Sequence, residues 1–225
     1  MSRPKSRPTP GQPKGGRAVS SLTPQPIQCP FKIIRDSREQ TEYRFAGIVD
    51  DAGEVEADGY EFSDIRADAD LKYAPMIVQT VKTGLPRGDY SVLGCPGMVA
   101  ERKSLGDLYG SVSRRENFEH RLAEMTRLER VGFVIVEASW EQVLGAPPRH
   151  SKLNPKSLGR TIIAWEERFP FVHWKFFANR EWAEKMTFRY LERWYRDHRL
   201  GMQDVTVLDQ STGKLVRSVP SPIEV

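Results

Sequence analysis

The chain has 225 residues, 34 of them Lys or Arg and 30 Asp or Glu, with only two cysteines. That length buries a substantial core and excludes a fibrous or wholly disordered protein. The formal charge of +4 is unevenly placed: residues 1–30 hold five basic and no acidic residues, leaving 29 basic against 30 acidic in the body. Any basic surface on the body must come from local segregation of charge.

Cys29 and Cys95 stand far apart and in no metal-ligand spacing. This argues against a disulfide framework or a structural zinc and for a reducing, cytoplasmic setting. No apolar run nears the roughly 18 residues of a membrane span, and the N-terminus lacks a signal-peptide core. A soluble chain that is not exported and has no membrane contact is expected.

Residues 1–30 contain seven of the 16 prolines, interleaved with Ser, Gly, Lys and Arg. The composition predicts a disordered basic arm, either a tether for nucleic acid or a partner or a plain solvated leader. From Phe31, the run Phe31-Lys32-Ile33-Ile34-Arg35 predicts a strand that ends in the polar cluster Asp36-Ser37-Arg38-Glu39. Val49 to Asp70 carries nine acidic residues and one basic, Arg66, and predicts a solvated insertion.

Next come strands over Ile77–Lys82, Asp89–Leu93 and Met98–Lys103, the last two joined at Gly94-Cys95-Pro96-Gly97 into a hairpin. Ser104 to Val112 has helical spacing with Ser104 as cap, and Arg114–Arg130 places Phe118, Leu122 and Met125 on one helical face. Phe133–Val136 is a continuous apolar run of the kind buried on both faces of a sheet. Asn154-Pro155 is a helix start leading into Leu158, Ile162 and Trp165. An aromatic strand, Phe171–Phe177, and a helix, Arg180–His198, close a body spanning 31–199. Residues 200–225 form an extension in which Val205–Leu208 and Lys214–Val219 allow a hairpin. The order reads as α/β, a central mixed sheet flanked by helices.

The chemistry concentrates in the hairpin. Strand alternation puts Glu101 and Lys103 on one face and Arg102 on the other. A four-residue loop at 94–97 would set Asp89 opposite Arg102; a shift of one residue sets it opposite Glu101 or Lys103. The shifted register is expected, because only then do two carboxylates and an ammonium converge. Two hard oxygen ligands can hold Mg²⁺ or Mn²⁺ beside a phosphodiester, and Lys103 can hold or deprotonate a water or stabilise developing charge.

In order, Asp36-Ser37-Arg38-Glu39, Gly88-Asp89-Tyr90 and Glu101-Arg102-Lys103-Ser104-Leu105-Gly106-Asp107-Leu108 resemble the nuclease domain of the XPF family of structure-specific endonucleases. The signature of that family is a GDY followed by ERKxxxD. The likeness continues through Val134-Ile135-Val136-Glu137 and Asn154-Pro155-Lys156-Ser157, in the manner of the compact bacterial and phage members. It implies a restriction-endonuclease-like fold, a Mg²⁺ or Mn²⁺ cofactor and DNA, branched or duplex, as partner. It also implies that Asp36, Asp89 and Glu101 are acidic members of the metal site and Lys103 the catalytic lysine. Arg38, Glu39, Arg102 and Asp107 carry over as supporting residues. A basic residue in the helix after the signature belongs to the family pattern, and Arg115, three residues before Phe118, is expected to fill that role.

The 26 residues after Arg199 are too few for the tandem helix-hairpin-helix motifs of the larger family members. Arg149, His150, Lys152, Lys156 and Arg160 cluster at the Asn154-Pro155 helix start, where free N–H groups would favour phosphate. The aromatics Trp165, Trp174, Phe176, Trp182, Tyr190 and Trp194 are expected in the core, and no histidine is needed for catalysis. No phosphate loop of the Walker or dinucleotide type is present, so no nucleotide cofactor is expected. A metal-dependent DNA endonuclease, self-associating as a homodimer, is the leading expectation. A non-catalytic DNA-binding scaffold and a nuclease acting on RNA or single strands are its rivals.

Overall fold

The computed structural model describes residues 25–49, 75–149 and 151–199, with the backbone of two further strands at 205–209 and 214–218. Most of the basic arm, nearly all of the acidic stretch from Val49 to Asp70, and His150 lie outside the described residues. Among the described residues, six strands form one mixed sheet: β1 (Ile27–Asp36), β2 (Met76–Thr83), β3 (Tyr90–Val92), β4 (Met98–Lys103), β5 (Val131–Val136) and β6 (Val172–Phe176). Their order is β2-β1-β3-β4-β5-β6. β3 runs antiparallel to β1 and β4, while β1–β2, β4–β5 and β5–β6 are parallel. The helices are α1 (Leu105–Ser113), α2 (Arg115–Leu128), α3 (Trp140–Gly145), α4 (Pro155–Arg168) and α5 (Arg180–Arg199). The α/β sheet with flanking helices expected for a restriction-endonuclease-like domain is therefore present.

Val134, Ile135 and Val136 are buried in succession because β5 lies between two parallel neighbours and is covered on both faces. On one face, Val99, Val134 and Val136 pack with Leu108, Phe118, Leu122, Leu158, Ile162 and Trp165 from α1, α2 and α4. On the other, Ile33, Tyr90, Met98, Ala100 and Ile135 pack with Ala183, Phe188 and Leu191 of α5. Each fully buried Leu, Ile or Phe contributes roughly 1.5–3 kcal/mol relative to leaving it exposed. Two such layers bury β4 from both sides.

Local signals explain the helix ends. The Ser104 hydroxyl accepts from the Asp107 N–H and starts α1, while Asn154 and Pro155 start α4 as expected. α3 was not foreseen. It rests on a capping box in which Ser139 and Gln142 each take the other's backbone N–H, an S-x-x-Q signal present in the sequence.

β1 begins at Ile27, four residues earlier than the apolar run suggested. Ile27 and Gln28 pair with Met76 and Ile77, and the register then shifts before Lys32, across Pro30, which has no N–H to give a ladder. Trp165 and Trp174 are buried as expected, whereas Trp182 is exposed on α5. β7 (Val205–Asp209) and β8 (Lys214–Ser218) form the antiparallel pair anticipated in the extension. No helix among the described residues is long and apolar enough to cross a membrane.

Candidate active site

The site begins with the pairing of Tyr90 opposite Ala100. That register places Asp89 opposite Glu101, one step from the arrangement a four-residue loop would give. The Asp89 N–H donates to the Ala100 carbonyl at 2.8 Å, and Asp89 Oδ2 accepts from the Arg102 N–H at 2.7 Å. Gly88 makes this turn possible. Its φ is +73°, and a Cβ there would lie 2.2 Å from Val99 Cγ2 and 3.1 Å from the Ala100 carbonyl oxygen. Gly88→Ala is expected to cost about 1–3 kcal/mol from overpacking and left-handed strain. A lowered urea midpoint checks this, and an unchanged midpoint contradicts it.

β4 then distributes its three charges by alternation. Glu101, 2% exposed, and Lys103 face α1 and α2; the Lys103 ammonium lies 2.8 Å from Glu101 Oε1 and 4.8 Å from the Phe118 ring centroid. Arg102 turns to the α5 face. There its Nε and Nη2 donate to Glu137 Oε1 and Oε2 at 2.7 and 2.9 Å, and its Nη1 is 3.5 Å from Glu39. Arg180 joins from α5, donating to Glu137 at 2.8 Å and to the Thr41 and Glu42 carbonyls at 3.0 and 2.6 Å. The loop that carries Glu39 is thus tied to the sheet through Arg102 and Arg180.

Asp36, at the end of β1, is 1% exposed and adjoins Asp89, whose carbonyl accepts its N–H at 2.8 Å. Both Asp36 carboxylate oxygens accept from Arg38, from Nε at 3.0 and 3.2 Å. Burial raises the Asp36 carboxyl pKa, but the Arg38 hydrogen bonds outweigh it and hold Asp36 below the usual range.

These side chains line one open cavity of about 360 Å³, with Asp36, Arg38, Glu39, Gly88, Asp89, Glu101, Arg102, Lys103, Asp107 and Arg121 in its wall. Asp107 is exposed at its rim and accepts from the Ser104 hydroxyl at 2.6 Å. Burial, and then the negative charge of Glu101, push Asp89 above the ordinary carboxylate range. A divalent cation relieves this kind of crowding, so Asp89 and Glu101 fit a hard-oxygen ligand pair. Asp36, expected as a third acidic member of the metal site, has both oxygens on Arg38 and, like Glu101, would ligate a cation only after a donor yields an oxygen. Among the described residues no three Asp, Glu, His or Cys side chains gather as a ligand set. A cation held by the pair would fill its remaining positions with water and substrate oxygens.

Two expectations need correction. Arg115 does not reach the cavity; it is exposed and donates to Glu119 at 2.7 Å. Arg121 occupies the place instead, with Nη2 at 3.0 and 3.1 Å from the two Glu101 oxygens. The reason is direction. Lys103 lies over Phe118, while Glu101, two residues back along β4, meets Arg121, three residues on along α2. The helix runs opposite to the strand, as a crossover between parallel β4 and β5 requires. That rule, applied to the sequence, would have selected the arginine after Phe118 rather than the one before it.

The second correction concerns the start of α4. Pro155 has no N–H, the Lys156 N–H donates to Asn154 Oδ1 at 2.8 Å, and the Ser157 N–H to the Asn154 carbonyl at 3.0 Å. The first-turn donors expected to attract phosphate are therefore occupied. Arg149, Lys152, Lys156 and Arg160 are exposed, and none of them lines the cavity. Glu137, Arg180 and Tyr43 were not singled out, because their meeting depends on three distant segments.

No family model matches the chain, and no curated protein matches it. Among solved structures, XPF from Aeropyrum pernix is similar at 18% identity and a TM-score of 0.46, covering 76% of this chain and 65% of that one. XPF from Aeropyrum pernix in complex with DNA is similar at 22% identity and a TM-score of 0.40, covering 56% of this chain and 55% of that one. This chain spans less than two thirds of the length of either.

Proposed function

We propose that the chain is a metal-dependent DNA endonuclease of the XPF type, in its compact bacterial or phage form, working in DNA repair or recombination. The observation that carries this reading is the strand register that brings Asp89, Glu101 and Lys103 to one cavity. Asp89 and Glu101 would hold Mg²⁺ or Mn²⁺, which when bound supplies charge stabilisation for a phosphoryl group and acidifies a water.

The chain's own residues do the rest. Lys103, fixed by Glu101 and walled by the Phe118 ring, presents an ammonium either to the attacking water or to the charge that develops on phosphorus oxygens. Asp36, held by Arg38, closes the cavity beside Asp89 and keeps the Arg38 guanidinium at its rim. Asp107, in the first turn of α1, accepts from the capping Ser104 hydroxyl at the cavity rim. Outside the cavity, Arg149, Lys152, Lys156 and Arg160 offer four exposed positive charges for phosphates flanking the cut, contacts that position without reading sequence.

The test is a panel of labelled duplex, fork, flap and single-stranded DNA with matching RNA, each incubated with Mg²⁺, Mn²⁺ or a chelator. Cleavage of at least one DNA substrate with metal and none with chelator is expected. Purified protein that binds DNA but cuts no substrate with either metal contradicts the reading, as does cleavage that survives chelation.

A further inference from the structure

We infer that Arg121 is a counter-ion of Glu101 that competes with a divalent cation for this carboxylate and turns to substrate phosphate when displaced. The inference rests on the proposed metal-dependent chemistry and assigns Arg121 a role within it.

Glu101 is buried, at 2% exposure, and both its oxygens are already occupied. Oε1 receives the Lys103 ammonium at 2.8 Å and Arg121 Nη2 at 3.0 Å, and Oε2 receives Arg121 Nη2 at 3.1 Å. A buried carboxylate without such donors would be costly, and Lys103 and Arg121 supply this neutralisation. Glu101 cannot ligate a cation until one donor yields an oxygen.

The two donors differ in their ability to leave. Lys103 lies on the same strand with its side chain 8% exposed and its ammonium packed over Phe118, so it has little room to move. Arg121 comes from α2 on a long side chain that is 45% exposed. Its guanidinium can swing into the cavity at the cost of one half-exposed ion pair and remain solvated. It already lines the cavity, so once released it faces the space a phosphodiester would enter. A planar fork of N–H donors suits a phosphate as well as it suits a carboxylate.

A residue that only supports the site would weaken metal binding when removed, whereas a competitor strengthens it. Mn²⁺ binding, followed by electron paramagnetic resonance and calorimetry on the full chain, should therefore be tighter in Arg121→Gln than in wild type, by roughly two- to fivefold. Arg121→Lys retains one charge but no fork and should fall between the two. In non-cleaving Ca²⁺, Arg121→Gln should bind duplex DNA more weakly than wild type. Unchanged or weaker Mn²⁺ affinity in Arg121→Gln overturns the inference while leaving the metal reading intact, provided Glu101→Gln still abolishes binding. If Arg121→Gln does not fold, the same titration of Arg121→Lys decides. Absence of Mn²⁺ binding by wild type at millimolar concentration defeats both readings.

Discussion

Glu101→Gln should abolish cleavage, lowering the single-turnover rate by roughly 10²- to 10³-fold or more, while DNA binding survives. The substitution keeps the side chain's shape and its place on β4 but removes the charge on which Lys103 and Arg121 converge and which, in the proposed reading, would hold the metal. Lys103→Ala should depress cleavage comparably with much less effect on Mn²⁺ affinity, because the role proposed for Lys103 is on the water or the transition-state charge rather than as a ligand. The pair of variants therefore separates holding the metal from using it. Cleavage by Glu101→Gln within tenfold of wild type would remove the central carboxylate from the mechanism. Equal loss of metal affinity in Lys103→Ala would make the lysine a structural prop for Glu101.

Alternation along β4 and the register of the hairpin were legible because both are local. A period of two divides Glu101 and Lys103 from Arg102, and the wish to bring carboxylates together chose the register that Tyr90 opposite Ala100 fixes. Caps at Ser104 and Asn154 were equally local. The residues that eluded sequence reasoning are those placed by the packing of distant elements. Arg121 reaches Glu101 only because α2 runs back along β4. Glu137 and Arg180 are 43 residues apart and meet only once β5 and α5 are both in place. Arg102 shows the same limit. Its side was predictable from alternation, but its burial among Glu137, Glu39 and the Tyr43 ring was not.

That burial gives Arg102→Ala an effect on the whole molecule. Arg102 is 9% exposed and bonds both oxygens of Glu137, whose side chain is itself 8% exposed. Truncation leaves a buried carboxylate with Arg180 as its remaining cation, and breaking a buried pair in this way costs about 3–5 kcal/mol. Because Arg180 still holds one Glu137 oxygen, the loss should sit near the lower end, about 3 kcal/mol. This is a large share of the roughly 5–15 kcal/mol that stabilises a typical domain. The hydrogen bond from residue 102 to Asp89 Oδ2 comes from the backbone N–H and survives the substitution. Cleavage per folded molecule should therefore stay within roughly tenfold of wild type at low temperature, even as the denaturant midpoint falls. A cycle of Arg102→Ala, Glu137→Ala and the double variant should show a coupling above about 1 kcal/mol, since each single change strands a buried charge that the double change removes. A loss of stability below about 1 kcal/mol would show that water replaces the guanidinium at Glu137. A thousandfold loss of rate in the fully folded variant would instead place Arg102 in the chemistry.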